Sequence, residues 1–141
     1  MTDRWSVAWN RRGLLAEATG ALLCANIRVR LTRGARLSAA LGEPARAVEA
    51  TLSPAQAATA RDVGWAIELL AVRGPLRTAC LGQALAARTL LQRRQIPCVL
   101  TLGLGRRTDG KLRAHAWLRA GEYTVTGGRG RTAFSPLAGF Q

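Results

Sequence analysis

Pro97 divides the sequence into two parts with different hydrophobic patterns, and this change is the strongest constraint on the fold. Before Pro97, apolar residues recur mostly at helical spacing, which predicts amphipathic helices. After it come three segments typical of strands: 98–102, 114–119 and, across a turn near Gly121, 123–126. Helices first and an antiparallel sheet last indicate an α+β domain.

Three helices are predicted before the strands. Ser53 and Pro54 supply an N-cap and a proline at the first helical position of the second helix, and Thr78 is placed to cap the third. A loop with Gly34 and Pro44 as breakers separates the first two. The helices are predicted at 14–31, from Pro54 to Val72, and from about Ala79 to Gln92.

The alternation at 114–119 assigns each side chain to one face of the sheet. His115, Trp117 and Arg119 share one face, and Ala114, Ala116 and Leu118 share the other. Trp117 is expected to pack against the sheet or a helix, because tryptophan is usually largely buried.

The length of 141 residues predicts a single domain over 1–141, with 1–74 as its helical part and 75–141 holding the third helix and the sheet. With 48% hydrophobic and 21% charged residues, a wholly disordered basic tail is excluded. No apolar run approaches the ~20 residues of a membrane-spanning helix, since Glu17 and Arg28 bracket the best candidate. We recognise no export signal and therefore expect a cytoplasmic protein.

The chain is strongly basic, with 21 Lys and Arg residues against 8 Asp and Glu and a net charge of +13. All the cations except Lys111 are arginine, a composition that a bias toward GC-rich codons produces without selection for binding. Alternatively, clustered positive charge attracts an acidic peptide, an acidic protein or nucleic acid. Because the arginines are spread along the chain and only 5% of residues are aromatic, nucleic-acid binding is a minor hypothesis.

The cysteines and the single histidine exclude several kinds of site. Cys24, Cys80 and Cys98 are an odd number without a C-x-x-C pair, which argues against a disulfide framework or a zinc ribbon. With His115 as the only histidine, a zinc hydrolase would lack its usual ligands. The sequence has no P-loop, no dinucleotide fingerprint and no G-x-S-x-G. We therefore expect neither a metal nor a cofactor.

Cys80, at the predicted start of the third helix, is the best candidate nucleophile. There it faces the positive end of the helix dipole and unpaired backbone N–H groups, which stabilise a thiolate. Cys24 and Cys98 lie in apolar segments, where desolvation should make them inert. If His115 projects onto the helix start, it can take the thiol proton and later protonate a leaving amine. Both features are also common in ordinary cores, so spacing alone leaves both interpretations open.

Five segments of the second half carry more specific motifs. They are CLGQALAAR at 80–88, LLQRRQIP at 90–97, LGLG at 102–105, AHAWL at 114–118, and residues 134–140. In this order and spacing they resemble the transglutaminase-like cysteine peptidases of lasso-peptide biosynthesis, the protease half of the B protein. The resemblance covers about 75–140, while the helical first half is similar only in length and character.

The resemblance implies a fold, an activity and partners. The fold is a cysteine-bearing helix packed on a small antiparallel sheet, transglutaminase-like or papain-like, with Cys80 as nucleophile and His115 as base. The activity is removal of the leader from a ribosomally made precursor. The implied partners are the precursor peptide, a small leader-binding protein and the ATP-dependent macrolactam synthetase that acts afterwards.

The family's third catalytic residue, an aspartate, has no counterpart in this sequence. Counting across the turn near Gly121 places Thr126 or Gly127 opposite His115. Thr126 or a backbone carbonyl is left to orient the histidine, and a cysteine–histidine pair depends less on a carboxylate than a serine site does. Gln83 is a further candidate, either for contact with substrate or an oxyanion or as a solvent-facing side chain.

The sequence therefore favours a cytoplasmic cysteine peptidase that removes a leader peptide, with Cys80 attacking the scissile carbonyl and His115 as general base and then acid. A second hypothesis, motivated by the missing carboxylate, is a non-catalytic adaptor of the same fold that binds a peptide or a partner. A third, motivated by charge alone, is a basic nucleic-acid-binding module.

Overall fold

A computed structural model describes residues 4–32, 41 and 50–141, with side chains from Asn10 onward. The loop predicted around Gly34 and Pro44 lies outside these residues. Helices followed by an antiparallel sheet confirm the predicted α+β class. The elements are α1 (Arg4–Leu31), α2 (Pro54–Ile67) and the π-helix that continues it (Glu68–Arg73), α3 (Cys80–Arg93), β1 (Val99–Arg106), β2 (Leu112–Ala120), β3 (Tyr123–Thr126), a 3-10 turn (Arg131–Ala133) and β4 (Ser135–Phe140).

α2 begins at Pro54, as predicted, and the π-helix that continues it ends one residue beyond the predicted end at Val72. Ser53 Oγ accepts a hydrogen bond from the Gln56 amide at 3.2 Å, and the Gln56 side chain accepts one from the Ser53 amide at 2.9 Å, so α2 opens with a capping box. The C-cap of the π-helix is Gly74. The first helix starts at Arg4, earlier than predicted. Among the described residues, no helix combines the length and apolarity needed to cross a membrane.

In the described part of the chain, four strands form one antiparallel sheet in the order β3-β2-β1-β4. β1 runs on to Arg106, beyond the apolar run that predicted it, because Leu112 on β2 still pairs with it there. β4 was not predicted from the sequence. It is an edge strand that pairs only with β1 and whose residues are mostly exposed, so it lacks an alternating hydrophobic pattern.

The helices cover one face of the sheet and form the main core with it. The alternation predicted for β2 is confirmed, since Ala116 and Leu118 belong to this core while His115 and Trp117 do not. Core residues from the helices and from this face of the sheet include Leu22, Val63, Ile67, Leu90, Leu91, Leu100, Leu118, Ala120 and Val125.

Gly64 allows α2 to lie directly against β3. A Cβ atom at this position would come within 2.7 Å of the Val125 carbonyl oxygen, closer than real Cβ contacts. The obstacle is backbone, so a side chain cannot simply rotate away. Gly20, on the exposed surface of α1, has nothing within 4 Å of the same hypothetical atom.

We expect alanine at these two helical glycines to change stability in opposite directions. Gly20→Ala should stabilise the fold by about 0.5–1 kcal/mol, because alanine favours the helix. Gly64→Ala should destabilise it by roughly 1–3 kcal/mol, because the helix must move away from the strand. Urea unfolding of both variants measures the difference, and equal stabilisation by the two would contradict the close approach of α2 to β3.

Candidate active site

Cys80 is the first residue of α3, close to its predicted position. Ala79 is the N-cap, and within the described residues no side chain caps the first turn. The prediction that Thr78 caps this helix is therefore wrong, because its hydroxyl donates instead to the Leu76 carbonyl oxygen at 2.7 Å. The amides at the candidate nucleophile thus have no side-chain acceptor.

Side chains from two helices hold Thr78 in place. Asn26 of α1 donates from Nδ2 to Thr78 Oγ1 at 3.0 Å, and Gln83 of α3 donates from Nε2 to the Thr78 carbonyl oxygen at 2.7 Å. These bonds fix the turn that leads into Cys80. Gln83 therefore has an intramolecular partner that the sequence did not indicate. Asn26 was missed, although a polar residue within an apolar helical stretch was the available signal.

The three cysteines lie in different environments. Cys24 is exposed, beside the exposed Leu23, so the expectation that desolvation makes it inert is wrong. Burial raises the pKa of the Cys98 thiol to about 11, although the Arg88 guanidinium opposes the shift. Cys98 is therefore protonated at neutral pH, in agreement with the predicted effect of desolvation. Cys80 is half-buried against the core.

His115 is half-buried on β2, and its Nε2 lies 2.8 Å from the carbonyl oxygen of Gly127. A carbonyl oxygen can only accept, so Nε2 carries the hydrogen, and in the neutral ring Nδ1 keeps a free lone pair. The sequence left Thr126 or a backbone carbonyl to orient His115, and in the structure the backbone carbonyl contacts the ring. Thr126 does not take this part, because its Oγ1 is buried and has no hydrogen-bond partner among the described residues.

The count that placed Thr126 or Gly127 opposite His115 is wrong. Thr126 pairs with Leu118, three residues along β2 from the histidine. The turn lies later in the chain than the count assumed, and a β-bulge adds one further residue to β3. The ladder ends at this pair. Gly127 therefore reaches His115 from the loop that follows β3 rather than from a paired position.

Two aromatic rings flank the imidazole. The ring centroids of Phe134 and Trp117 lie 4.8 Å and 5.9 Å from that of His115. Trp117 is only 3% exposed although it lies outside the main core, so it packs on the sheet as expected. The two rings have room because the residues of β1 next to them are glycines, which have no side chain. A Cβ atom at Gly103 would lie 2.7 Å from the Trp117 ring, and one at Gly105 would lie 2.9 Å from the Phe134 ring.

Cys80 and His115 belong to elements that pack together, since α3 contacts β2. The alternation of β2 directs His115 away from the face covered by the helices. Within the described residues, the thiol and the imidazole are not hydrogen-bonded to each other. Their pairing therefore stays a prediction.

Some carboxylates of the described residues pair with arginines, and others lie at turns. Asp109 and Glu122 occupy turns. Glu68 lies 3.2 Å from Arg129, in the loop that follows β3, and 3.4 Å from Arg73. In the same part of the chain, no three His, Cys, Asp or Glu side chains are grouped as metal ligands would be.

A groove of about 960 Å³ lies at the end of the sheet where β1 begins and β2 ends. Arg61, Arg119 and Tyr123 contribute to its lining, together with Cys98. Neither Cys80 nor His115 lines it, so this groove and the candidate catalytic residues are separate features of the surface.

One family model, described as the transglutaminase-like superfamily, matches residues 21–139. The match runs from α1 to β4 and includes both Cys80 and His115. No curated protein and no solved structure matches the chain. Since the matched segment covers most of its 141 residues, the chain belongs to the transglutaminase-like superfamily.

Proposed function

We propose that this protein is a cysteine peptidase that removes the leader from a ribosomally made lasso-peptide precursor. Cys80 is the nucleophile, and His115 is the general base and then the general acid. The observation that carries the proposal is the hydrogen bond from His115 Nε2 to the Gly127 carbonyl oxygen, because it leaves Nδ1 available as a base. Membership of a superfamily that typically includes cysteine peptidases and transferases supports this chemistry.

In the first step, the Cys80 thiol gives its proton to Nδ1 of His115, and Sγ attacks the scissile carbonyl carbon. The positive end of α3 stabilises the thiolate. The carbonyl oxygen becomes an oxyanion that accepts a hydrogen bond from the Cys80 amide, which has no side-chain cap to compete for it. The helix start therefore serves both the nucleophile and the oxyanion.

In the second step, the protonated imidazole gives the proton from Nδ1 to the leaving amine as the C–N bond breaks. The core peptide departs, and the leader remains attached to Cys80 as a thioester. A water molecule then loses a proton to His115 and attacks the thioester carbon. The leader leaves as a carboxylic acid, and the thiol recovers its proton.

The proposal requires the Cys80 thiol to reach Nδ1 of His115. Catalytic hydrogen bonds are often long in unliganded enzymes and shorten when substrate binds, so we expect this bond to form in the complex with the precursor. α3 packs on β2, whereas His115 lies on the face of the sheet away from the helices, so the approach of the thiol to the imidazole is what the next experiment tests.

Alkylation by iodoacetamide measures this pairing without a substrate. An ordinary thiol with a pKa of about 8.5 is almost fully protonated near pH ~6, so it reacts slowly there. We expect Cys80 to react roughly tenfold or more faster than the exposed Cys24 in the same molecule, because the start of α3 and His115 activate it as a nucleophile. Cys98, whose pKa is raised to about 11, should react slowest. Peptide mass spectrometry reads the three rates together.

The matched variants are His115→Ala and Arg119→Ala. Arg119 lies on the same strand and the same face but is exposed, so its loss should leave the Cys80 rate unchanged. His115→Ala should lower that rate to the level of Cys24. Equal rates at Cys80 and Cys24 in the unaltered protein would count against an activated nucleophile in the isolated chain.

The second candidate function is a non-catalytic adaptor, which is favoured by the absence of a carboxylate beside His115 in the described residues. Maturation of a precursor distinguishes it from the peptidase. A lasso precursor incubated with the chain and a leader-binding protein should lose its leader, as seen by mass spectrometry. Cys80→Ala should abolish the cleavage. If maturation proceeds unchanged with Cys80→Ala, the adaptor explains the fold instead.

The net charge of +13 supports an acidic binding partner, either the precursor or the leader-binding protein. Binding of an acidic precursor should weaken as salt is raised, since exposed charges are screened beyond about 8 Å at physiological ionic strength. Titration calorimetry at several salt concentrations measures this dependence. An affinity that does not change with salt would show that the arginines do not contribute.

A further inference from the structure

We propose that Gly127 is a positioning residue whose backbone carbonyl replaces the carboxylate that related peptidases use to orient their histidine. Glycine at this position is then a requirement of the site rather than the trace of a lost aspartate. The inference rests on the proposed chemistry of Cys80 and His115 and assigns that chemistry an acceptor that is not a side chain. It also accounts for the third catalytic residue that the sequence lacks.

The backbone of Gly127 points its carbonyl at the imidazole through a conformation that favours glycine. Its φ is +72°, in the left-handed region, where a side chain is strained. The hydrogen bond to His115 Nε2 is 2.8 Å long. A residue that kept an ordinary negative φ would turn the carbonyl elsewhere, so the orienting bond depends on this conformation.

The space around Gly127 also excludes a side chain. A Cβ atom there would collide with the Ala116 carbonyl oxygen and would lie 2.9 Å from Trp117 Cα. Both obstacles belong to the backbone of β2, the strand that carries His115, so they cannot move without displacing the histidine. An aspartate at this position would therefore disturb the residue that it should orient. At the neighbouring Gly128, the nearest contact of a Cβ atom is 3.4 Å, to Thr124 Cγ2.

The surroundings of the imidazole suit a neutral acceptor. Phe134 and Trp117 flank the ring, and a carboxylate buried beside them would have to lose much of its hydration. Among the described residues, the Arg113 guanidinium lies 5.8 Å from the Phe134 ring, and Arg129 pairs with Glu68. A backbone carbonyl supplies the acceptor without burying a negative charge.

Because His115 is the only histidine, nitrogen-15 labelling of histidine reports on this bond without ambiguity. We expect the NMR spectrum of the protein to show a hydrogen on Nε2 that exchanges slowly with water, and an unprotonated Nδ1 in the neutral ring. A hydrogen on Nδ1, or an Nε2 hydrogen in rapid exchange, would overturn the inference. This measurement does not depend on whether Cys80 reacts, so failure of the proposed function is recognised separately, by slow alkylation of Cys80.

The decisive comparison is between Gly127→Asp and Gly128→Asp. If Gly127 is the trace of a lost catalytic aspartate, Gly127→Asp should speed the alkylation of Cys80, and this result would overturn the inference. If the carbonyl is the built acceptor, Gly127→Asp should slow alkylation roughly tenfold or more and abolish the protected Nε2 hydrogen, because the histidine is misplaced. Gly128→Asp adds the same charge one residue away and should leave both signals unchanged.

A variant that keeps the glycine guards against misfolding of Gly127→Asp. Replacing the amide between Gly127 and Gly128 by an ester, through an α-hydroxy acid incorporated at position 128, weakens the carbonyl as an acceptor and adds no side chain. Among the described residues, the Gly128 amide donates no hydrogen bond that this change would remove. We expect faster exchange of the Nε2 hydrogen and slower alkylation of Cys80. Unchanged values for both would overturn the inference.

Discussion

Successive side chains of β2 point to opposite faces of the sheet, and both the core and the candidate site depend on this alternation. Ala116 and Leu118 enter the core shared with the helices, while His115 and Trp117 face the other way. A slip of one residue in the pairing with β1 would exchange the two sets. The burial of Ala116 and Leu118 therefore also determines where the histidine lies. The packing energy of the core thus holds His115 in place, although His115 lies outside that core.

Elements with a local chemical signal were predicted well. The capping box at Ser53 and the alternation of β2 each depend on residues close together in the sequence. Thr78 shows where such reasoning fails, because its hydroxyl bonds to Leu76 and Asn26 instead of capping the next helix. β4 shows another failure, since an exposed edge strand has no buried face to impose a pattern.

In the candidate site too, side chains with a distinctive residue type were easier to predict than a backbone group. Cys80 and His115 became candidates because the residue type itself identifies a thiol and an imidazole as reactive groups. The acceptor for His115 is a carbonyl oxygen, which every residue possesses, so no residue type marks it. The position of the turn and the β-bulge before Thr126 together made the simple count wrong. Cys24 was misjudged because an apolar stretch of helix can still have a face toward solvent.

A glycine of β1 that makes room for an aromatic ring limits how the sequence can change during evolution. Gly103 and Trp117 divide one volume between two parts of the chain, because the glycine has no side chain and the indole ring fills the space. Neither partner can change alone without a collision or an empty space. Substitutions at these positions should therefore occur in complementary pairs among related sequences, a small residue on one side accompanying a large one on the other. The LGLG motif is thus half of a two-part pattern that a single sequence does not display.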